Sequence, residues 1–235
     1  MSGWTKKRFW RQATVVQTEG GFTVQLDGKP IRTPAKAAFL MPKMALAEAV
    51  AEEWQAQEGT VQPDRMPLTR TVNSALDKVS PAHDAVVDLV ADYGASDLIC
   101  YRAEAPQGLI DRQAEVWDPL VTYAREVFQA PLNVSSGLMP VPQSSDSIAR
   151  LRHCVQEMSN FQLAALHDLV ALSGSLIIGL AATKDFQAIE SLWAASRIDE
   201  SWQAEHWGED ASANTEANLK RDAFYCAKQF FGFCA

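Results

Sequence analysis

Strand-forming residues are concentrated in one short stretch near the N-terminus, and this limits the folds that the chain can adopt. Residues 13–18 and 22–27 are rich in valine, threonine and other strand formers, and Gly20-Gly21 lies between the two runs. Two such runs joined by a glycine-containing turn predict a β-hairpin. Asp27-Gly28 predicts a second turn, after which residues 31–41 could continue the sheet.

After Pro42 the spacing of the apolar residues changes from that of strands to that of helices. Ala47, Val50 and Trp54 recur at intervals that place them on one helical face. From Leu68 onward the pattern indicates helices only. Further helices are predicted around residues 80–93 and 109–124 and over 147–158, 161–182, 186–207 and 215–231, with a long loop over 130–144.

Three residues mark expected helix boundaries. Ser80 precedes Pro81 and is predicted to cap the helix that begins there, since proline suits the first helical position. Asp118-Pro119 predicts either a kink or a new helix capped by Asp118, because proline has no amide hydrogen to donate. Asn214 is the predicted N-cap of the last helix.

Together these patterns predict an α+β protein, in which a small N-terminal β-containing domain precedes a larger all-helical domain. A proline-containing stretch over residues 61–67 separates the two. The predicted domains are therefore residues 1–65, with β-hairpins and one helix, and residues 66–235.

Composition and charge narrow the possible functions. The formal net charge of −8 disfavours nucleic acid as a partner, because phosphate binding needs clustered lysine and arginine. The most apolar segment, residues 163–182, contains His167 and Asp168, and its strongly apolar part is shorter than the ~20 residues that a membrane span needs. We therefore expect a cytoplasmic monomer with no membrane insertion.

The sequence contains no recognised motif for catalysis or cofactor binding. It has no glycine-rich phosphate loop, no dinucleotide fingerprint and no H-E-x-x-H pair, and Ser175 does not lie in a G-x-S-x-G elbow. The four cysteines form no C-x-x-C pair. We expect neither a cofactor nor a metal, and we expect that the protein is not an enzyme.

One segment, residues 197–210, combines two tryptophans, five acidic residues and a histidine. A metal-assisted hydrolase is the alternative hypothesis for this segment, and its site would use Asp199, Glu200, Glu205, His206 and Asp210. Glu200 and Glu205 fall on different faces of a helix, however, so they cannot converge on one ion without other ligands.

Glu200 lies near the middle of a predicted apolar stripe. If residues 186–207 form one helix, the stripe consists of Glu200 with Ile189, Trp193, Ser196, Gln203 and Trp207. A carboxylate on such a face is costly unless it is paired or reaches a water-lined groove. Two interpretations follow, a structural pair with an arginine or a backbone donor, and a contact with a partner. Trp202 and Ile198 lie on the opposite face, where Trp202 suits either an interface or a second core layer.

Several local motifs occur in an order and spacing typical of one protein family. They comprise residues 7–10, 24–34, 46–57, 66–69, 73–77, 93, 97–98, 101–102, 113, 117–120 and 199–210, whereas residues 130–190 match only loosely. Through these motifs the chain resembles the ATP synthase assembly chaperones that bind the alpha subunit of the catalytic head. Such proteins occur in mitochondria and in alphaproteobacteria.

The resemblance implies a small α+β domain followed by a helical domain, and a chaperone without catalytic activity. It implies that the alpha subunit is the partner, held until the beta subunit takes over, and that the functionally important acid is Glu200. The predicted partner-binding residues are Asp199, Glu200, Trp202, Gln203, Trp207 and Asp210. The mitochondrial members carry an import peptide that this sequence is expected to lack, so a bacterial chain is predicted. A structural subunit of the synthase is a third hypothesis.

Overall fold

The predicted hairpin forms the core of an N-terminal sheet. A computed structural model describes residues 7–137, 139, 141–208 and 210–234 of the chain. Strands β1 (Ala13–Thr18) and β2 (Gly21–Leu26) pair antiparallel, and β3 (Lys29–Pro30) pairs with β2 after the second turn. Residues 31–41 continue the sheet only through isolated bridges, including Phe22 with Met41. Gly21 has φ 129° and lies close to the Met41 carbonyl. A Cβ at this position would be 2.5 Å from the carbonyl oxygen, so only glycine fits there.

Helix α1 (Met44–Gln55) confirms the helical pattern that follows Pro42, and it packs against β1 and β2. Its buried residues, Leu46, Ala47, Val50 and Ala51, form one stripe. The fully buried side chains of this stripe each contribute on the order of 1–3 kcal/mol through the hydrophobic effect. The sheet and α1 therefore share one core.

The Glu53 carboxylate joins α1 to α2 (Pro67–Ser74). It accepts hydrogen bonds from the backbone amides of Leu68 and Thr69, at 2.7 and 2.8 Å, and from the Thr69 hydroxyl at 2.7 Å. Burial raises the pKa of Glu53, although these donors oppose the rise. Glu53 thus satisfies the first amides of α2, which that helix cannot satisfy itself.

The rest of the chain is mostly helical, which confirms the predicted fold class. The further helices are α3 (His83–Ala91), α4 (Gln107–Val127), α5 (Ser145–Gln156), α6 (Asn160–Ser173), α7 (Leu176–Thr183), α8 (Ile189–Ala195), α9 (Ile198–Trp207) and α10 (Ala211–Phe233). The prediction of helices only after Leu68 is wrong in one detail. Strands β4 (Tyr101–Arg102) and β5 (Ser135–Ser136) form a short parallel pair.

Two helices that the sequence predicted as continuous are each divided in two. Residues 161–182 divide between α6 and α7 at Gly174, whose φ of 71° lies in the left-handed region and ends a helix. Residues 186–207 divide between α8 and α9 at Ser196 and Arg197. The Ser196 hydroxyl donates to the Trp193 carbonyl at 2.7 Å, and this local bond competes with the helical ladder.

The predicted caps at Ser80 and Asn214 are wrong, as is a new helix start at Asp118, whereas a kink at Pro119 stays a prediction. Ser80 lies inside a continuous helical path, in a short 3-10 turn between a π-helical turn and α3, so it does not cap. Helix α4 runs through Pro119 without a new start, and the Asp118 carboxylate pairs with Arg102 at 2.9 Å. The cap of α10 is Asp210 instead of Asn214, since Asp210 Oδ1 accepts from the amide of Ser212 at 2.8 Å.

The described residues divide into two compact units. One comprises residues 7–83, 160–164 and 229–234, and the other residues 84–159 and 165–228 except for the undescribed positions. The predicted boundary between residues 65 and 66 stays a prediction about folding domains. Within the described ranges, none of the helices has the length and apolar character needed to cross a bilayer.

Candidate functional site

Helix α9 carries most of the predicted site, and α4 fixes its N-terminal end. The Gln113 side chain is buried in α4, where its amide nitrogen donates to Asp199 Oδ1 at 2.6 Å and its Oε1 accepts from the amide of Ala103 at 2.8 Å. The Gln113 carbonyl accepts from the Arg102 guanidinium at 3.1 Å. Because each member is held by the next, Asp199 has one orientation in the first turn of α9.

A second contact with α4 holds the middle of α9. Arg112 donates to both Glu205 oxygens, at 2.8 and 2.9 Å, and its guanidinium lies 4.9 Å from the centroid of the Trp202 ring. The Trp202 ring stacks on His206 with centroids 4.2 Å apart. The hydrogen bond with Arg112 lowers the pKa of Glu205. Paired bonds of this kind fix orientation as well as distance.

Gly108 makes room for Trp202 against α4. A Cβ built at Gly108 would lie 2.8 Å from the tip of the Trp202 ring, closer than side chains approach. We call the set of Gly108, Arg112, Trp202 and Glu205 the α4–α9 clasp. In this clasp the Trp202 ring packs against other residues of the same protein.

The opposite side of α9 faces outward. Glu200, Gln203 and Trp207 lie on it, and all three are exposed, with Trp207 79% accessible. The Glu200 carboxylate pairs with Arg197 at 2.8 Å, and 51% of its side chain is accessible. The structure therefore contains the arginine pair that the sequence left open, but this pair is not buried.

Two grooves flank this outward side. The α9–α10 groove has a volume of about 650 Å³, and its lining includes Arg197, Glu200, Gln203, Trp207, Asp210 and Ala213. The second groove, the α4–α9 groove, has a volume of about 700 Å³, and its lining includes Asp199, Trp202, Gln203, His206 and Trp207. Gln203 and Trp207 line both grooves. Each of the six predicted partner-binding residues lines at least one groove.

The predicted apolar stripe is interrupted between α8 and α9, although Trp193, Glu200, Gln203 and Trp207 line one groove. Its members divide between α8 and α9, so Trp193 and Ser196 are buried, whereas Gln203 and Trp207 are exposed. The face of α9 that enters the core is the Ile198 face. The predicted stripe was wrong in part because it assumed that one helix continues across Ser196 and Arg197.

Sequence reasoning missed two cations at the site. Arg197 binds Glu200 three residues further on, a spacing that places both on one helical face and could have identified the pair. Arg112 binds Glu205 from a position 93 residues away in sequence. No local pattern could have revealed that contact.

The five side chains of the hypothetical metal site each contact a different partner instead of converging on one point. Asp199 binds Gln113, Glu200 binds Arg197, Glu205 binds Arg112, the His206 ring nitrogen Nδ1 lies 2.8 Å from the Trp202 carbonyl, and Asp210 caps α10. Across the described residues, no three His, Cys, Asp or Glu side chains are arranged to hold a metal ion. This geometry gives the hydrolase hypothesis no support.

Comparisons with known proteins identify the family of this chain. A family model described as ATP12 chaperone protein matches residues 7–125. Protein atp12, mitochondrial, of Schizosaccharomyces pombe is 26% identical over 232 residues, which cover 91% of this chain and 78% of the yeast protein. The family model ends before α9, whereas this match extends over most of the chain.

Two solved bacterial structures are similar over nearly the whole chain. The crystal structure of Atp12 from Paracoccus denitrificans is 44% identical, with a TM-score of 0.94 over 97% of this chain and 98% of that one. The Atu1473 protein of Agrobacterium tumefaciens is 38% identical, with a TM-score of 0.93 over 96% of this chain and 85% of that one. At these identities the likeness extends beyond the fold to the family.

Proposed function

The chain belongs to the ATP12 family of ATP synthase assembly chaperones, and from this premise we propose that it binds the unassembled alpha subunit of the catalytic head. It holds that subunit until the beta subunit replaces it, and it catalyses no reaction. The observation that carries the proposal is the outward side of α9, where exposed Trp207 lies beside Glu200 and two grooves. Tryptophan is enriched, relative to the rest of the surface, where proteins bind each other.

A holding chaperone needs a rigid surface more than a catalytic centre. An orphan subunit exposes apolar surface meant for its neighbour, and covering that surface suppresses aggregation by mass action. The α4–α9 clasp and the Gln113–Asp199 bond prepare α9 before binding, which reduces the entropy lost when the complex forms.

The six predicted residues divide into two roles in this proposal. Glu200, Gln203 and Trp207 contact the alpha subunit. Asp199 and Trp202 hold α9 in position. Asp210 has both roles, since it fixes the start of α10 and lines the same groove as Glu200. The bacterial origin of the two structural relatives supports a bacterial chain that acts in the cytoplasm, and we propose that it does so as a monomer.

Co-expression with each head subunit tests the function. The soluble yield of the alpha subunit should rise with the chaperone present, and the beta subunit should gain little. A pull-down from the same cells should recover alpha and not beta. Unchanged solubility together with an empty pull-down for both subunits contradicts the proposal.

A further inference from the structure

Tryptophan, arginine and a carboxylate occur together repeatedly in the unit that contains α4 and α9. Three tryptophans there have a guanidinium carbon 4.9–5.7 Å from the ring centroid, and each of these arginines also pairs with an acid at 2.8–2.9 Å. The three sets are Trp117 with Arg102 and Asp118, Trp193 with Arg197 and Glu200, and Trp202 with Arg112 and Glu205.

Trp207 is the tryptophan of this unit that departs from the pattern. Its ring is 79% accessible, and no arginine or lysine among the described residues lies over it. Glu200 and Asp210 line the same groove as Trp207. An aromatic ring and lining carboxylates are therefore present at Trp207, although Glu200 already pairs with Arg197, and no arginine or lysine of the described residues lies over the Trp207 ring.

The groove has the size and the charge for a cationic side chain. Its volume is about 650 Å³, and alanines at 204, 213 and 217 leave space beside the Trp207 ring. Glu200, Glu205 and Asp210 contribute three carboxylates to its lining. Glu205 pairs with Arg112 and Glu200 with Arg197, whereas Asp210 caps α10 through Oδ1. A cation over a tryptophan face is attracted by the ring quadrupole, and a nearby carboxylate strengthens the attraction.

We propose that the face of Trp207 receives an arginine or lysine side chain from a basic segment of the alpha subunit, with Glu200 and Asp210 as its counterions. This inference rests on the proposed function and names the chemistry of the partner segment. The incoming cation completes at Trp207 the arrangement that the protein makes internally at three other tryptophans.

Site-specific fluorination of Trp207 tests the inference. Fluorotryptophans carrying one to three fluorine atoms are incorporated at position 207 alone, and the affinity for purified alpha subunit is measured by titration. Fluorine withdraws electron density from the ring face, so each added fluorine should weaken binding stepwise if a cation lies over it. Trp207→Leu should weaken binding by about 3- to 30-fold.

The opposite pattern identifies a different contact. Fluorination makes the ring more apolar, so affinity that stays constant or rises across the series, while Trp207→Leu weakens binding, means an ordinary hydrophobic contact and overturns the inference. Unchanged affinity in both the series and Trp207→Leu means that Trp207 does not contact the partner, which also overturns it. Leu219→Ala is the matched control, because Leu219 is 67% accessible on α10 and lies outside both grooves.

The experiment separates this inference from the proposed function. If the alpha subunit binds but fluorination has no effect, the function stands and the inference fails. If only the beta subunit binds, with the same stepwise loss, the identity of the partner was wrong and the chemistry was right. If neither subunit binds the unmodified protein, both proposals fail.

Discussion

Glu200 has an internal partner, but that partner gives it little structural importance. Its carboxylate is half accessible and its bond to Arg197 spans one helical turn. Exposed pairs of this kind contribute roughly 0–1 kcal/mol to stability, because water screens the charges. Glu200 therefore stabilises the fold only weakly, and it lines the same groove as Trp207. Its proposed contact with a partner does not conflict with a structural role.

Exchanging the two charges separates the structural role of Glu200 from its binding role. The double variant Arg197→Glu/Glu200→Arg keeps an internal ion pair and reverses its direction. The melting temperature should fall only slightly, because the exchange keeps an ion pair and removes only the Arg197 guanidinium from the Trp193 ring. Affinity for the alpha subunit should fall by at least about tenfold, which corresponds to about 1.4 kcal/mol. Thermal unfolding and a binding titration are the measurements, and wild-type affinity in this variant would show that the partner does not contact Glu200.

Asp97 is a fully buried carboxylate whose raised pKa makes the stability of the fold depend on pH. It accepts hydrogen bonds from the amides of Ile99 and Ile177, at 3.2 and 3.0 Å, and burial raises its pKa to about 6. Because its folded pKa exceeds its usual value near 4, its contribution to stability is complete below about pH 4 and is lost as pH rises through 6.

The variant Asp97→Asn should lose this pH dependence. The difference in unfolding free energy between wild type and Asp97→Asn should shift against wild type by up to about 3 kcal/mol from pH 4 to pH 7. Urea unfolding at several pH values measures it. A difference that is constant with pH would mean that Asp97 keeps an ordinary pKa in the folded protein.

At the scale of elements, α9 is positioned by α4 more than by its own sequence. The α4–α9 clasp and Asp199 connect the two helices along the length of α9. Gly108 is central, because the tip of the Trp202 ring occupies the space that a methyl group would need. The orientation of the outward side therefore depends on a residue that lies in another helix.

Gly108→Ala provides a test of this dependence. Alanine favours a helix over glycine by up to about 1 kcal/mol, whereas forcing Trp202 aside costs typically 1–3 kcal/mol, so the variant should be less stable than wild type. In a Trp202→Ala background the clash is absent, and the same change should be neutral or stabilising. Urea unfolding of the four proteins gives the coupling. Equal effects of Gly108→Ala in both backgrounds would rule out the clasp as the cause.

At the scale of the whole molecule, the contacts that stabilise the fold are distinct from the outward side of α9 that is proposed to bind the partner. The N-terminal sheet, α1 and the Glu53 cap give one compact unit its core, and α4 positions α9 in the other. None of these features requires a partner to be satisfied. A chaperone can therefore fold alone and release its subunit, whereas a permanent subunit remains bound.

This difference predicts the composition of the finished enzyme. ATP synthase purified intact from the native host should lack this protein, while the alpha subunit captured before assembly should carry it, since in the proposed function the beta subunit displaces the chaperone. Mass spectrometry of both fractions is the measurement. Stoichiometric recovery in the intact complex would identify a structural subunit and contradict the chaperone function.

The sequence by itself determined the hairpin, α1, the helical remainder and the family. Alternation, glycine turns and helical spacing act between near neighbours, so they can be recognised in one chain. It also predicted six partner-binding residues within the motif around residues 199–210. Each of them borders at least one of the two grooves, and their role in binding stays a prediction.

Only the tertiary structure decided which sides of α9 are buried. Ile198, Trp202 and Trp207 give this helix apolar residues on more than one side, so periodicity alone was ambiguous. The Ile198 side became the buried one, and Trp202 turned inward, because α4 offers Gly108 and Arg112, whose contacts with α9 join residues about ninety positions apart in sequence. Trp207 remained outside because no described part of the chain covers it, and such long-range packing is not encoded in local sequence.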